Sequence, residues 1–347
     1  MGNNGYNFAV VGATGAVGQK ILQLLENKDL PINQLKLLSS ARSAGKKLIF
    51  KNQEITVEVA EPDSFNDIDI ALFSAGGSIS KKLAPEAVKR GTVVVDNTSA
   101  FRMDENVPLV VPEVNVEDIK KHNGIIANPN CSTIQMVAAL KPLDEAFGLS
   151  RIIVSTYQAV SGAGNQANEE LKNQSRQFLN NDEMKAELLP VKGDKKHFPI
   201  AFNALPQIDM FQDNGYTFEE MKMVNETKKI MHLPKLPVSA TCVRLPFFQS
   251  HAESVYVDVE KEGLSASDLQ DVLRKAEGVI LEDDPSNQVY PTPLSAMNKE
   301  EVFVGRIRKD MDHDKGFHLW VVSDNLIKGA ALNTIQIAER LIENKWL

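Results

Sequence analysis

Phe8-Ala9-Val10-Val11-Gly12-Ala13-Thr14-Gly15-Ala16-Val17-Gly18 is the stretch whose reading decides the fold. Four apolar residues read as a buried strand, three glycines follow, and then Val17, Ile21, Leu24 and Leu25 recur at helical spacing. The order is strand, glycine turn, helix. A diphosphate needs glycine there, because it must approach the backbone at a helix N-terminus, where free amides bind the anion and a Cβ would block it. The spacing G-x-x-G-x-x-G is a variant of the dinucleotide fingerprint, with Gly12, Thr14, Gly15, Ala16 and Val17 as candidate cofactor contacts.

A second strand is expected at 35–38, after which an NAD site would carry an acidic residue for the ribose 2′-hydroxyl. The sequence instead reads Ser39-Ser40-Ala41-Arg42-Ser43, with Lys46 and Lys47 beyond. Hydroxyls and a guanidinium suit a 2′-phosphate, so Ser39, Ser40, Arg42 and Ser43 point to NADP; the plain alternative is a solvated serine-rich loop. Further strands at 68–74, 93–96 and 109–111 alternate with helical patterns at 81–89 and 116–121, the signature of a Rossmann-like doubly wound parallel sheet. Ligands bind such sheets at the carboxyl ends of the strands. Ser74-Ala75-Gly76-Gly77, Asp96-Asn97-Thr98-Ser99 and the segment after Ala127 should therefore converge on one crevice, where Arg102 is either an anion ligand or a surface arginine.

That last segment, Asn128-Pro129-Asn130-Cys131-Ser132-Thr133-Ile134-Gln135, runs from a strand end into a helical pattern. A cysteine in a first helical turn faces unpaired amides and the positive end of the helix dipole, both of which favour thiolate. Cys131 is a candidate nucleophile. Free cysteines are often inert core residues, but its polar flanks argue against burial. The other cysteine, Cys242, alternates with Val238 and Ala240 in a strand-like run and reads as core. With two distant cysteines and no Cys/His cluster, neither a disulfide framework nor a metal site is expected.

The chain has 347 residues, enough for two domains, and its 43% hydrophobic and 24% charged residues describe a soluble globular protein with no membrane span. The net charge of −8 argues against nucleic-acid binding. The N-terminal residues lack the pattern of a secretory or myristoylation signal, so the expected location is the cytoplasm.

Beyond the Cys131 helix the character changes. A strand at 151–158, a flexible Val160-Ser161-Gly162-Ala163-Gly164 turn and a polar helix at 165–178 lead into a proline-broken region to 237 with a short helix at 217–230. Strands at 238–245, 254–260, 302–308 and 317–323 with a helix at 266–276 suggest an α+β domain with a mixed or antiparallel sheet. The amphipathic helix at 329–345 should pack back on the first domain. The expected division is an NADP-binding domain, 1–131 completed by 325–347, and a catalytic and dimerisation domain, 132–324. Glu219, Glu220, Lys222, Lys228 and Lys229 read on spacing alone as a charged helix face. Of six histidines, His251 and His197 are the best placed to assist a thiol, and the residues themselves do not choose between them.

Taken together, the Gly12–Gly18 loop, Ser40-Ala41-Arg42-Ser43-Ala44-Gly45, Asp96-Asn97-Thr98-Ser99, Asn130-Cys131-Ser132-Thr133, Tyr157-Gln158-Ala159-Val160-Ser161-Gly162-Ala163-Gly164, Glu219-Glu220-Met221-Lys222, Val243-Arg244 and Ser323-Asp324-Asn325-Leu326 resemble bacterial aspartate-semialdehyde dehydrogenases over essentially the whole chain. The resemblance implies Cys131 as an acylated nucleophile, His251 as the general acid–base group and Gln158 as the residue orienting the reacting centre. Arg244 would bind the substrate α-carboxylate and Glu220 its amino group. Arg102, Lys222 and Asn130 would hold phosphate, and Gly162 and Asn325 would lie near the nicotinamide. It also implies reduction of L-aspartyl 4-phosphate by NADPH through a thioester, a place in lysine, methionine and threonine biosynthesis, and a homodimer built on the second domain. An N-acetylglutamyl-phosphate reductase is the nearest alternative, and a non-catalytic dinucleotide-binding redox sensor the alternative from another class.

Overall fold

A computed structural model describes residues 5–347, so the reading of an N-terminal signal up to Asn4 lies outside the described residues. The chain divides into two compact units, one ending at Asn130 and completed by Gly329–Leu347, the other Cys131–Lys328. Residues 325–328 thus belong to the second unit, not the first.

The first unit contains β1 (Tyr6–Val11), α1 (Ala16–Asn27), β2 (Ile32–Ser39), β3 (Lys47–Phe50), β4 (Gln53–Val59), β5 (Ile70–Phe73), α2 (Gly77–Val88), β6 (Val93–Asp96), α3 (Pro112–Asn115) and β7 (Ile125–Ala127). They form a seven-stranded sheet in the order β3-β4-β2-β1-β5-β6-β7, parallel except at β3/β4. The strand order reverses at β1, which pairs with β2 on one side and β5 on the other. A doubly wound sheet opens its ligand crevice at that point, above the strands' carboxyl ends.

Ala9, Val11, Leu38, Phe65, Phe73, Leu83 and Val94 build one core cluster, with Phe65 and Phe73 stacked at 5.6 Å. Each large side chain buried there contributes about 1.5–3 kcal/mol.

Sequence periodicity missed the β3/β4 hairpin. Its turn is Lys51-Asn52, with φ of 46° and 64°, the left-handed pair a two-residue hairpin requires. Conversely, the strand expected at 109–111 shrinks to a single bridge, Leu109 with Ala127, because Pro108 and Pro112 bracket it and lack amide donors. The helix expected at 116–121 is a 3-10 segment, Val116–Lys121. The C-terminal helix Asn333–Glu343 does pack on this unit: Asn333 Nδ2 donates to Val110 O (3.0 Å) and to Asn128 Oδ1 (2.7 Å).

The second unit begins with α4 (Cys131–Phe147) and β8 (Leu149–Gln158), then α5 (Asn165–Leu179), α6 (Phe218–Ile230), β9 (Val238–Arg244), β10 (His251–Val259), α7 (Ala266–Leu273), β11 (Val279–Leu281), α8 (Pro293–Ala296), β12 (Val302–Lys309) and β13 (Gly316–Ser323). The sheet runs β11-β12-β13-β10-β8-β9 and is mixed, with parallel pairs at β11/β12 and β8/β9 and antiparallel pairs between. Helix α4 covers one face, resting on β10, β13 and β12, and Ile134, Met136, Val137, Leu140 and Leu143 are buried along it. β10 starts three residues earlier than periodicity suggests, so His251 is its first residue rather than part of a loop. Among the described residues, no helix is long and apolar enough to cross a membrane, and no group of three or more His, Cys, Asp or Glu is placed to hold a metal ion.

Candidate active site

In the first unit, Gly12, Thr14, Gly15, Ser39, Ser40, Arg42 and Ser43, with Ser74 and Ala75, line a cavity of ≈ 430 Å³ that contains no carboxylate. Gly12 has φ +88°, and a Cβ on Gly18 would lie 2.2 Å from Gly12 O, so the turn closes only with glycine at both places. Gly15 precedes α1 with no side-chain cap, leaving the amides of Ala16 and Val17 at the helix start without intrahelical partners. Thr14 Oγ and Ser39 Oγ lie 3.0 Å apart and tie the two loops together. A dinucleotide fits this cradle: the amides suit its diphosphate, and Arg42 with the serines suits a ribose phosphate.

The loops after β6 and β7 are joined through Arg102, which is buried. Its Nε donates to Asn128 O (2.9 Å) and its Nη2 to Asn97 O (3.0 Å), while Asn128 Nδ2 donates to Asn97 Oδ1 (2.6 Å). Arg102 is therefore a built part of the strand-end loops rather than a loose surface arginine. Asn130, also buried, closes this segment.

In the second unit the register of the sheet assembles a row. Gln158 on β8 faces Arg244 on β9, His251 on β10 faces Ser323 on β13, and continuing the β8/β10 register sets Gln158 against His251. Arg244, Gln158 and His251 are all buried on the face that α4 covers. Cys131, the first residue of α4, is half-buried and outside any disulfide, and its charge acts on Arg244. A helix N-terminus favours the thiolate form of a cysteine placed there. Gln158 Nε2 donates to Ser132 Oγ and, at 3.2 Å, to Glu219 Oε1, linking the row to α4 and α6. Arg244 Nη1 donates to Ala159 O (2.7 Å). Burial lowers the pKa of Arg244, while the charges of Glu219 and Cys131 raise it.

One assignment needs correction. Glu220 has both oxygens engaged by main-chain amides: Thr217 N donates to Oε2 (2.7 Å) and Cys242 N to Oε1 (3.0 Å). It closes a capping box on α6 and ties that helix to β9. The carboxylate beside Gln158 is Glu219, which also pairs with Lys222 Nζ (3.1 Å). The signal was present in the sequence, since Thr217-x-x-Glu220 is a capping-box pattern. Burial alone would lower the pKa of Lys222, but Glu219 and Asp209, the latter at 3.0 Å, more than reverse this and keep the ammonium charged.

His251 Nδ1 accepts from Ala159 N (3.0 Å), and burial followed by the Arg244 charge lowers its pKa to about 3. A Cβ on Gly162 would approach Arg244 Nη1 at 3.0 Å and His251 Nε2 at 3.7 Å. Asn325 Oδ1 accepts from Ser250 N (2.9 Å) and its Nδ2 donates to Ser161 Oγ (3.0 Å), which pins the residue before His251. That contact was not foreseen. Ser250 takes φ +71°, a strained value for serine that needs such support. His197 instead sits near Val191 O, at 3.1 Å from its Nε2, on the loop after α5. Cys242 is fully buried, and desolvation raises its pKa well above the usual thiol value.

The first unit carries a glycine-cradled cavity suited to a dinucleotide, and the second a cysteine at a helix start together with a buried row of arginine, glutamine and histidine, the features of a dinucleotide-dependent oxidoreductase. Residues 7–122 match the semialdehyde dehydrogenase NAD binding domain and residues 140–328 the semialdehyde dehydrogenase dimerisation domain. The aspartate-semialdehyde dehydrogenase of Bacillus subtilis is 65% identical over 337 residues, covering 97% of both chains. Among solved structures, aspartate semialdehyde dehydrogenase II from Vibrio cholerae, complexed with ASA, has a TM-score of 0.92 at 47% identity, covering 98% of each chain. The Candida albicans enzyme with NADP has a TM-score of 0.77 at 28% identity, covering 99% of each chain. The chain belongs to the aspartate-semialdehyde dehydrogenases, a family of oxidoreductases.

Proposed function

We propose that this chain reduces L-aspartyl 4-phosphate to L-aspartate 4-semialdehyde with NADPH, through a thioester on Cys131, in the biosynthesis of lysine, methionine and threonine. The observation that carries the reading is the placement of Cys131 at the start of α4 in the same unit as the Arg244–Gln158–His251 row. The thiolate attacks the acyl phosphate, phosphate departs with a proton from solvent, and a thioester remains. A thioester accepts hydride more readily than an oxygen ester and returns a good leaving group. NADPH, when bound, supplies that hydride. Gln158 orients the acyl group, Arg244 binds the α-carboxylate, and Glu219, in place of Glu220, takes the amino group. Arg102, Lys222 and Asn130 hold the phosphate, whose charge they stabilise as it leaves.

Gly12, Gly15 and the amides of Ala16 and Val17 hold the cofactor diphosphate, Arg42 with Ser39, Ser40 and Ser43 the 2′-phosphate, and Gly162 and Asn325 the nicotinamide end. The preference for NADP is supported by a cavity without any carboxylate. A homodimer through the second unit is supported by the dimerisation-domain match, and we assign the reaction to the cytoplasm. The carboxylate beside Gln158 favours a free amino group over an acetylated one, which speaks against an N-acetylglutamyl substrate.

The test is phosphate-dependent reduction of NADP by aspartate semialdehyde, run on wild type and on Cys131→Ala. Inactive wild type, or an alanine variant with comparable turnover, refutes the reading. Equal kcat/KM with NAD and NADP refutes the cofactor assignment.

A further inference from the structure

Helix α4 carries Cys131 at its start and lies on β10, the strand that begins with His251. Ile134, Met136 and Val137 are buried along the helix, but hydrophobic packing is non-directional and does not by itself fix where along the strands the thiol sits. Directional bonds do that. Ser132 Oγ accepts from Nε2 of Gln158 on β8. The second anchor is Gln135, one helical turn beyond Cys131 and so on the same side of α4. Its Nε2 donates to His251 O (3.4 Å) and to Val321 O (3.5 Å), a forked contact across the seam between β10 and β13.

Gln135 is buried, and its Oε1 has no hydrogen-bond partner. Two residues beyond His251, on the same face of β10, Glu253 is fully buried and both its carboxyl oxygens also lack a partner. Burial raises the Glu253 pKa well above the usual carboxyl value, and Gln135 is the side chain that works against this rise, so the two groups are neighbours. The acid form of a carboxyl group has an O–H to give, and Gln135 Oε1 is an acceptor with nothing to accept. An apolar residue at 135 would cover the sheet without leaving buried polar atoms unpaired. A buried polar pair does something an apolar contact does not, which is to fix one arrangement of the elements it joins.

We propose that Gln135, steadied by Glu253, is a positioning residue that sets the reach between the Cys131 thiol and the His251 ring by holding α4 to the first residue of β10. This rests on the thioester reading above, with His251 as the general acid–base group. The helix start and the strand start are then held in one geometry. A misplacement of about 1 Å between reacting groups costs up to about a hundredfold in rate.

The test uses the full-length protein, steady-state reduction of NADP by aspartate semialdehyde with phosphate, and a melting temperature for every variant. Gln135→Met keeps the length of the side chain and removes both ends of the amide. Its kcat should fall at least about tenfold while KM for the semialdehyde stays within about twofold and Tm holds, because Arg244 and Glu219 lie on other elements. Glu253→Leu should show the same split, and Glu253→Gln, which again offers an N–H to Gln135 Oε1, should recover most of that loss. The double variant Gln135→Met/Glu253→Leu should lose no more than Gln135→Met alone, since residues that act as a unit are not additive. Wild-type kcat in Gln135→Met, a rise in KM as large as the fall in kcat, or additive losses in the double variant overturn the proposal. If Gln135→Met does not fold, the Glu253 variants decide, and equal kcat in Glu253→Leu and Glu253→Gln overturns it. Activity retained in Cys131→Ala refutes the thioester reading instead, a failure these variants do not produce.

Discussion

Adjacent glutamates on α6 should give opposite phenotypes. Glu220 accepts from the amides of Thr217 and Cys242, both buried, at 2.7 and 3.0 Å. Glu220→Ala leaves both donors unpaired. Loss of the capping interaction costs about 0.5–2 kcal/mol and an unsatisfied buried amide about 1–3 kcal/mol. The two share a residue, so the sum is not strictly additive, and about 2–4 kcal/mol is the working range. For a unit of this size each kcal/mol moves Tm by about 2–4 °C, so the variant should melt roughly 5–15 °C lower while keeping most of its turnover per folded molecule. Glu219→Gln has the reverse signature. It removes the charge facing Gln158 and Lys222 but keeps the shape, so Tm should shift little. Loss of one buried charged contact to the substrate ammonium costs about 3 kcal/mol, which lowers kcat/KM for aspartate semialdehyde roughly 150-fold. Thermal melts and steady-state kinetics on the two purified variants decide the matter. A Glu220→Ala enzyme that melts with wild type yet loses activity would return the amino-binding role to Glu220 and refute the reasoning.

Three more outcomes are expected. Gly18→Ala puts a Cβ 2.2 Å from Gly12 O, main chain that must shift, and should cost about 1–3 kcal/mol and weaken NADP binding at least tenfold by fluorescence titration; unchanged Kd refutes the assignment of that turn. Gly162→Ala puts a Cβ 3.0 Å from Arg244 Nη1, a buried group held by Ala159 O at 2.7 Å, so the guanidinium must give by a few tenths of an ångström and KM for the semialdehyde should rise; an unaltered KM counts against Arg244 as its ligand. The depressed pKa of His251 means the unfolded chain binds a proton that the folded chain refuses between the ordinary value of 6.5 and about 3. Stability should fall as pH drops through that window, by up to about 1.4 kcal/mol per pH unit, and urea melts of His251→Gln should show a shallower acid slope; identical slopes refute it.

Much of the first unit was legible because its chemistry is written in contiguous residues. The Gly12–Gly18 turn requires glycine for steric reasons visible in one line of sequence, and the apolar runs of a parallel sheet, buried on both faces, stand out. The β3/β4 hairpin was not legible: it is short, and Lys51-Asn52 is an uncommon turn pair. In the second unit, strand positions were readable from alternation, but the row that joins Arg244, Gln158 and His251 depends on register between distant strands. Alternation says which residues share a face and not which lie opposite. Supports such as Asn333 on Asn128 or Asn325 on Ser250 join distant residues through one side chain each, and no local pattern announces them.

That register also determines the electrostatics at the thiol. One pleat below the row, Cys242, Thr156 and Glu253 lie side by side on β9, β8 and β10. All three are fully buried, and desolvation raises the pKa of both the Cys242 thiol and the Glu253 carboxyl. Burial therefore works against charge in this tier. In the second unit, the charges that act on the row are Arg244 on β9, Glu219 on α6 and Cys131 at the start of α4. A one-residue slip of β10 would turn His251 to the opposite face and put Ala252 in the row, because side chains alternate strictly along a strand. Ser250 at φ +71° turns the chain just before His251, and Asn325 holds that turn by the Ser250 amide. The strained residue is the stop that holds the histidine in register, which is why a backbone position with no chemistry of its own sits next to the site.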